Sequence, residues 1–406
     1  MKNPNHQFLL PLGLAVCLSL TGDLTLFASL VPKSEQMGIT LAQAGILLSV
    51  HRMIRIPGNP LTGIFVDRFG RRDIFITGMI CAVLSTTMIG LVSNFAFLVA
   101  GRLLWGVAWS MINVAGMTMV LDCSDDRTRG TLTGLYNAWV WAGYALGPLV
   151  GSFLADQIGL RYALLILAGF TAIGLLIALL SLPETKGLQE PIAVQSTTNS
   201  TVRSQNKPFY TQGIFRAAIF IFVVAQFCGD GVVLSTISLL LTERFGNFIS
   251  LGNLSLGVAS LTGIFMSIRS ILAVVIGPSV GRLSDRRWGR RPLLMVGLAS
   301  GIVSFFLLAM APDIYTIFIG IVIGAFSTGS LWVGLPALMG DIVVQDDRGK
   351  AMGIFAALGD VGSSLGPLLA LSLANVLRLP LIYLVCAIFL AISIGVAGKY
   401  TRRSEI

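Results

Sequence analysis

The sequence predicts an all-α polytopic membrane protein, with twelve transmembrane helices in two pseudo-symmetric six-helix bundles. Three observations carry that reading. Of 406 residues, 55% are apolar and only 12% charged, whereas soluble domains hold about 45–50% and about 25%. Apolar stretches close to the ~20 residues that a bilayer span requires recur along the whole chain. Short motifs of the first half also return, in the same order, in the second. Such a composition excludes a disordered chain and argues against a soluble enzyme.

In order, the first six stretches fall near 8–31, 41–64, 74–93, 96–121, 131–154 and 161–182. The second six fall near 213–241, 252–281, 292–311, 314–339, 351–375 and 380–398. The first follows Lys2 and shows no A-x-A-like cleavage site, so it reads as an uncleaved span. The polar segment 183–212 reads as a linker. It divides an N-terminal bundle, 1–182, from a C-terminal bundle, 213–406.

Lys and Arg set the orientation. Of the 28, 20 fall in segments that lie inside if the N-terminus is inside, 4 fall outside (Lys33, Arg161, Arg244, Arg378), and 4 lie within spans. Both termini are therefore expected in the cytoplasm, with the protein in the cell (inner) membrane. The net charge of +9 is accounted for without nucleic acid. Five scattered cysteines, Cys17, Cys81, Cys123, Cys228 and Cys386, form no CxxC, so neither a disulfide framework nor a metal site is indicated.

The repeat is explicit. The loop DRFGRR at 67–72 returns as DRRWGRR at 285–291 with one residue inserted. Arg129-Gly130 returns as Arg348-Gly349 and Gly147-Pro148 as Gly366-Pro367, each 219 positions later. Gly22-Asp23 has a counterpart in Gly229-Asp230. Two facing six-helix halves are what a rocking transporter requires.

The segment from Gly63 through Asp67, Arg68, Gly70, Arg71 and Arg72 resembles the signature loop between helices 2 and 3 of the major facilitator superfamily. Its second copy runs from Gly281 through Asp285 and Arg286 to Arg291. Arg102-Leu-Leu-Trp-Gly106 is similar to the family's helix-4 motif, and Pro183-Glu184-Thr185 also resembles the family's sequence after helix 6. Gly143, Gly147, Pro148 and Gly151 resemble the helix-5 motif of its twelve-helix drug:proton antiporters, departing at Ser152, where a second glycine is usual. The resemblance implies that Asp67 sits at the N-terminus of helix 11, near Ala351, where the helix dipole favours a carboxylate. It also implies that Arg71 pairs with Asp122 or Asp126, and that these contacts latch the outward-open state.

The helix-5 glycines lie at four-residue spacing, so they form one small stripe for close helix packing. Ionisable groups inside spans are the sharper signal, because each costs about 2.5–3.5 kcal/mol to insert. They are Asp23, His51, Arg52, Arg55, Arg102, Asp230, Arg269 and Asp360. Helices 1, 4, 7 and 10 line the cavity in the resembled family. Asp23 and Arg102 are accordingly expected to couple protons. Asp230 is expected to lack a basic partner, because helix 10 carries none between Asp313 and Asp341. Arg102, Gly106, Trp109 and Asn113 share one face of helix 4. His51, Arg55, Trp109, Asn113, Asn137, Trp141, Gln226, Asp230 and Trp332, with Tyr144, are candidates for the substrate cavity. Plain bundle packing is the competing reading for the aromatic and amide members. Arg52 or Arg55 could instead pair with Asp360 or close an outer gate.

The expected function is secondary transport, namely proton-coupled efflux of small amphipathic organic compounds by a monomer that needs no cofactor. A proton symporter or facilitator for an organic anion or lipid-like solute is the alternative, motivated by the helix-2 cations. An intramembrane enzyme using the pairs Asp125-Asp126 and Asp346-Asp347 is disfavoured, because no DxxxD spacing or second acidic cluster accompanies them. The nucleotide-binding pattern GxxxxGK[ST] is missing too, so an ATP-driven pump would need another subunit.

Overall fold

The computed structural model describes residues 8–125, 128–187, 209–251, 254–283, 289–343 and 347–401. Eleven helices among them are long and apolar enough to span a bilayer. The first half holds α1 (Leu9–Ser29), α3 (Arg71–Leu91), α4 (Phe95–Asp122), α5 (Arg129–Ile158) and α6 (Leu160–Ser181). The second holds α7 (Gly213–Phe245), α8 (Val258–Leu283), α9 (Arg290–Met310), α10 (Ile314–Ile342), α11 (Arg348–Leu373) and α12 (Leu379–Thr401). The twelfth span, α2, runs in two pieces, Leu41–Met53 and Arg55–Phe69. Pro57 explains the break, since it has no N–H for the Met53 carbonyl one turn earlier. Mid-span, α7 widens into a π-turn at Phe227–Val233. A hairpin, β1 (Phe248–Leu251) paired with β2 (Leu254–Gly257), joins α7 to α8.

The chain thus forms two six-helix bundles, and the repeat extends to local detail. Asn94 and Asp313 each cap the following helix with a side-chain oxygen. Ser85 Oγ donates to the Gly101 carbonyl at 2.6 Å, and Ser304 Oγ to the Gly320 carbonyl at 2.7 Å. These positions lie 219 apart, as the sequence motifs do. Within the halves, α1 packs on α5 and α6, α3 on α4 and α6, α9 on α10 and α12, and α11 on α7.

The halves meet through α2 against α11 and α5 against α8. Both contacts bring a glycine onto the carbonyl of a helix-bending proline. A Cβ at Gly45 would lie 2.8 Å from the Pro367 carbonyl oxygen, and one at Gly263 would strike that of Pro148. We call the face carrying Arg68, Arg71, Arg72 and Arg348 the basic face, and the opposite one the far face. Toward the far face the halves are in contact. Toward the basic face they part: a Cβ at Gly63, Gly130, Gly134, Gly349 or Gly353 would meet open space.

Candidate functional site

Three helices of the first half converge on one buried cluster. Gly106 has no Cβ to collide with the His51 carbonyl, so α2 lies directly on α4. Gly22 likewise admits α1 against Thr86 of α3. Arg102, 1% exposed, therefore reaches Asp23 of α1 and His51 of α2. Its Nη1 donates to Asp23 Oδ1 at 2.5 Å, its Nε to the Leu47 carbonyl at 2.9 Å, and its Nη2 faces His51 Nδ1 at 2.7 Å. A guanidinium only donates, so Nδ1 accepts and the imidazole is the neutral Nε2–H tautomer. Phe27 closes the cluster edge-on to His51.

The second half carries its own pair, which corrects one expectation. Asp230 does have a basic partner: Arg269 Nη2 donates to Asp230 Oδ1 at 2.9 Å and to Thr328 Oγ1 at 3.0 Å. The arginine comes from α8, not from α10, the counterpart of the helix that carries Arg102. Arg269 stands 218 positions after His51, the same register that separates Asp67 from Asp285. That register was the signal that could have found it. Both halves thus place an aspartate and an arginine across their first, second and fourth helices, with the arginine moved to a different helix. A cavity of about 40 Å³ beside Asp230, Arg269, Gln226 and Trp332 has room for a few waters.

Of the helix-2 cations, Arg52 and Arg55 reach across to the second half. Arg55 pairs with Asp360 at 3.1 Å. Arg52 lies over the Phe27 ring and donates to the carbonyls of Asp230 at 3.2 Å and Ser363 at 3.5 Å. Each carbonyl is available for a backbone reason. Pro367 has no N–H to offer Ser363 one turn earlier, and the π-turn disturbs the regular ladder at Asp230. The expected joint placement of His51 and Arg55 in one cavity wall is therefore corrected. His51 is 2% exposed and bound into the Arg102 cluster, because α2 is broken between the two.

Aromatic candidates gather where the halves part. Trp141 lies edge-on to Trp332, with ring centroids 6.2 Å apart, and beside Tyr144. Phe222 contacts Trp332 and stacks on Phe355 at 3.8 Å. Gln226 borders the same region. Trp109 is buried and Asn113 half-buried on α4, away from that cavity's lining. Asn137 is exposed and bonds its own helix at the Thr133 carbonyl. Gly143, Gly147 and Gly151 face Leu20, Thr21, Leu24 and Thr25 of α1, and the Thr25 hydroxyl donates to the Gly147 carbonyl at 2.9 Å.

In the basic-face loop, Arg71 Nε donates to Asp122 Oδ2 at 2.7 Å; Asp126 lies outside the described residues. The Asp67 side chain is 79% exposed, with Arg71 at 3.6 Å, and is not seated at the N-terminus of α11. Arg68 sends its guanidinium over Phe69. Asp285 and Arg286 lie outside the described residues. The sequence motif Pro183-Glu184-Thr185 marked Glu184 without giving it a role, and the structure supplies one. The Glu184 carboxylate accepts the backbone N–H groups of Arg71, Arg72, Thr185 and Lys186. Gly70, at φ +103°, leaves the space that this carboxylate fills. Burial pushes the Glu184 pKa up, but the four N–H donors together bring it below its ordinary value.

Two facing bundles, joined at one end and parted at the other around buried ion pairs, define a membrane transporter. The Major Facilitator Superfamily model matches residues 12–267 and 219–405, and the chain belongs to that family. It is 27% identical over 332 residues to the class C tetracycline resistance protein of Escherichia coli, covering 80% of this chain and 78% of that one. It is 24% identical over 351 residues to multidrug resistance protein 2 of Bacillus subtilis (strain 168), covering 84% and 81%. Among solved structures, it superposes on a bacterial homolog of the human lysosomal transporter Spinster, in an inward-facing and occupied conformation. That likeness has a TM-score of 0.79 at 17% identity and covers 99% and 98% of the two chains. As a member of this family of transporters, the chain is not an enzyme.

Proposed function

We propose that this transporter is a proton-coupled exporter of small amphipathic organic compounds, working by alternating access as a monomer in the cytoplasmic membrane. The observation that carries the reading is the Asp23–Arg102 pair, buried where α1, α2 and α4 meet. A proton on Asp23 removes its charge and with it most of the attraction to Arg102, so protonation is tied to the packing of α1 on α4. Arginine stays charged throughout and leaks no proton itself. The similar proteins named for tetracycline and multidrug resistance support an exporter. With the basic face cytoplasmic, as the Lys and Arg bias argues, this conformation is open to the cytoplasm. Trp141, Trp332, Phe222 and Gln226 then offer an aromatic wall with one amide to an amphipathic cargo. In this reading Asp67 docks on α11 only when the basic face shuts.

The anion alternative rested on His51, Arg52 and Arg55. Each is engaged within the protein, with Arg102, two carbonyls and Asp360 respectively, which favours the exporter. The test is uptake into inverted vesicles with a panel of cationic, neutral and anionic amphiphiles, with and without a pH gradient. Gradient-driven uptake of cationic or neutral compounds is expected. Gradient-independent uptake, or uptake restricted to anions, rejects the proposal.

A further inference from the structure

The α5–α8 contact holds a device that the α2–α11 contact lacks. Asp156, near the end of α5, reaches into the first turn of α8. Its Oδ2 accepts both the backbone N–H and the hydroxyl of Ser260, each at 2.7 Å. Its Oδ1 meets Lys33 Nζ, just past α1, at 2.9 Å. The carboxylate side chain is only 8% exposed. Gly257, at the end of the hairpin, leaves room for it, since a Cβ there would collide with the carboxylate. Across the pseudo-two-fold, α2 caps itself: Thr40 Oγ1 accepts from Gln43 N–H while Gln43 Oε1 accepts from Thr40 N–H. The position 219 after Asp156 is the neutral Asn375. So α2 supplies its own cap, whereas α8 borrows one from the other half of the molecule.

We propose that Asp156 is the external gate residue of the transport cycle. It holds the N-terminus of α8 while the far face is shut and lets go when the halves rock. A carboxylate at a helix N-terminus is favoured by the exposed N–H groups and the helix dipole. Lys33 belongs to the same half as Asp156 and travels with it. Opening therefore costs two charge-assisted hydrogen bonds but strands no bare charge. Asp156 acts through α8 and is a positioning residue, not a cargo contact.

The proposal rests on alternating access and on the assigned orientation, and is independent of proton coupling. Its test needs neither substrate nor gradient. Ser267→Cys places a reporter at a buried position whose hydroxyl contacts the Ala145 carbonyl of α5. It is labelled with a membrane-impermeant maleimide in right-side-out and inverted vesicles. Asp156→Ala should raise labelling from outside about five-fold or more. Ser260→Pro should do the same, because proline is tolerated in a first helical turn and removes both donors while leaving the Lys33 pair. The swap K33D/D156K retains an ion pair but presents no acceptor to Ser260, so it should label as fast as Asp156→Ala. Unchanged labelling in the first two variants overturns the proposal. So does a swap that labels like the parent, or a rise from both sides at once. A rise from the cytoplasmic side alone supports the gate and rejects the orientation.

Discussion

Replacing Asp23 by Asn removes a charge but keeps a side-chain oxygen able to accept from Arg102, so it isolates the electrostatic part of the pair. At an effective dielectric near 20, unit charges about 4 Å apart attract by about 4 kcal/mol. The guanidinium and carboxylate charges are delocalised, so a 2.5 Å nitrogen–oxygen contact corresponds to charge centres near that separation. Arg102 retains its bonds to His51 and Leu47, which softens the loss. We expect a coupling of about 2–4 kcal/mol, near the lower end of what breaking a buried pair costs. The assay is a double-mutant cycle of Asp23→Asn and Arg102→Gln, read as detergent or heat unfolding of the purified transporter. In transport, Asp23→Asn should abolish dependence on the pH gradient while substrate exchange persists. Additive single effects within about 0.5 kcal/mol, or gradient-driven transport at parental rates in Asp23→Asn, would refute the reasoning.

Gly45→Ala and Gly263→Ala should each force the halves apart at a proline carbonyl, costing about 1–3 kcal/mol of overpacking. Gly263→Ala, whose Cβ would come closer to its proline than that of Gly45→Ala, should show the larger drop in transport rate at equal expression. Arg269→Gln leaves Asp230 without its cation and should cost about 3–5 kcal/mol. Adding Asp230→Asn should recover most of that in thermal unfolding, and failure to recover it argues that Arg269 acts through Thr328 alone. Glu184 has a folded pKa below its ordinary value. Its contribution is therefore present above about pH 4.3, the ordinary value, and is lost as pH falls through the folded one. Glu184→Gln should flatten the acid limb of a thermal-stability profile and lower the limb above about pH 6 by a constant amount without changing its slope.

The twelve spans and the two halves were legible because an apolar run and a repeated loop are local patterns. Asp23 and Arg102 were legible because a charge inside a span stands out against its neighbours. The partner of Asp230 was not, since the first-half arginine stands on α4, whose counterpart α10 carries none, and the second-half arginine stands on α8. The pairing needs three helices to converge, and an arginine on any of them can complete it. The break in α2 was written in Pro57, but a continuous apolar stretch masked it. Asp156 and Lys33 look like ordinary loop-flanking charges. Only the tertiary crossing of α5 over α8 shows that one of them finishes a helix belonging to the other half.

Arg52 gives the cycle a solvent requirement. Its guanidinium fills carbonyls that a proline and a π-turn leave without regular helical partners, and it does so across the boundary between the halves. If the far face opens, a cation and those carbonyls separate together, and water entering the crevice can take up their lost bonds. In the proposed cycle, opening of the far face is then a wetting event. Its rate should follow the ease with which water enters the crevice, and dehydrating osmolytes should slow the turnover of a protein whose cargo need not bind water at all.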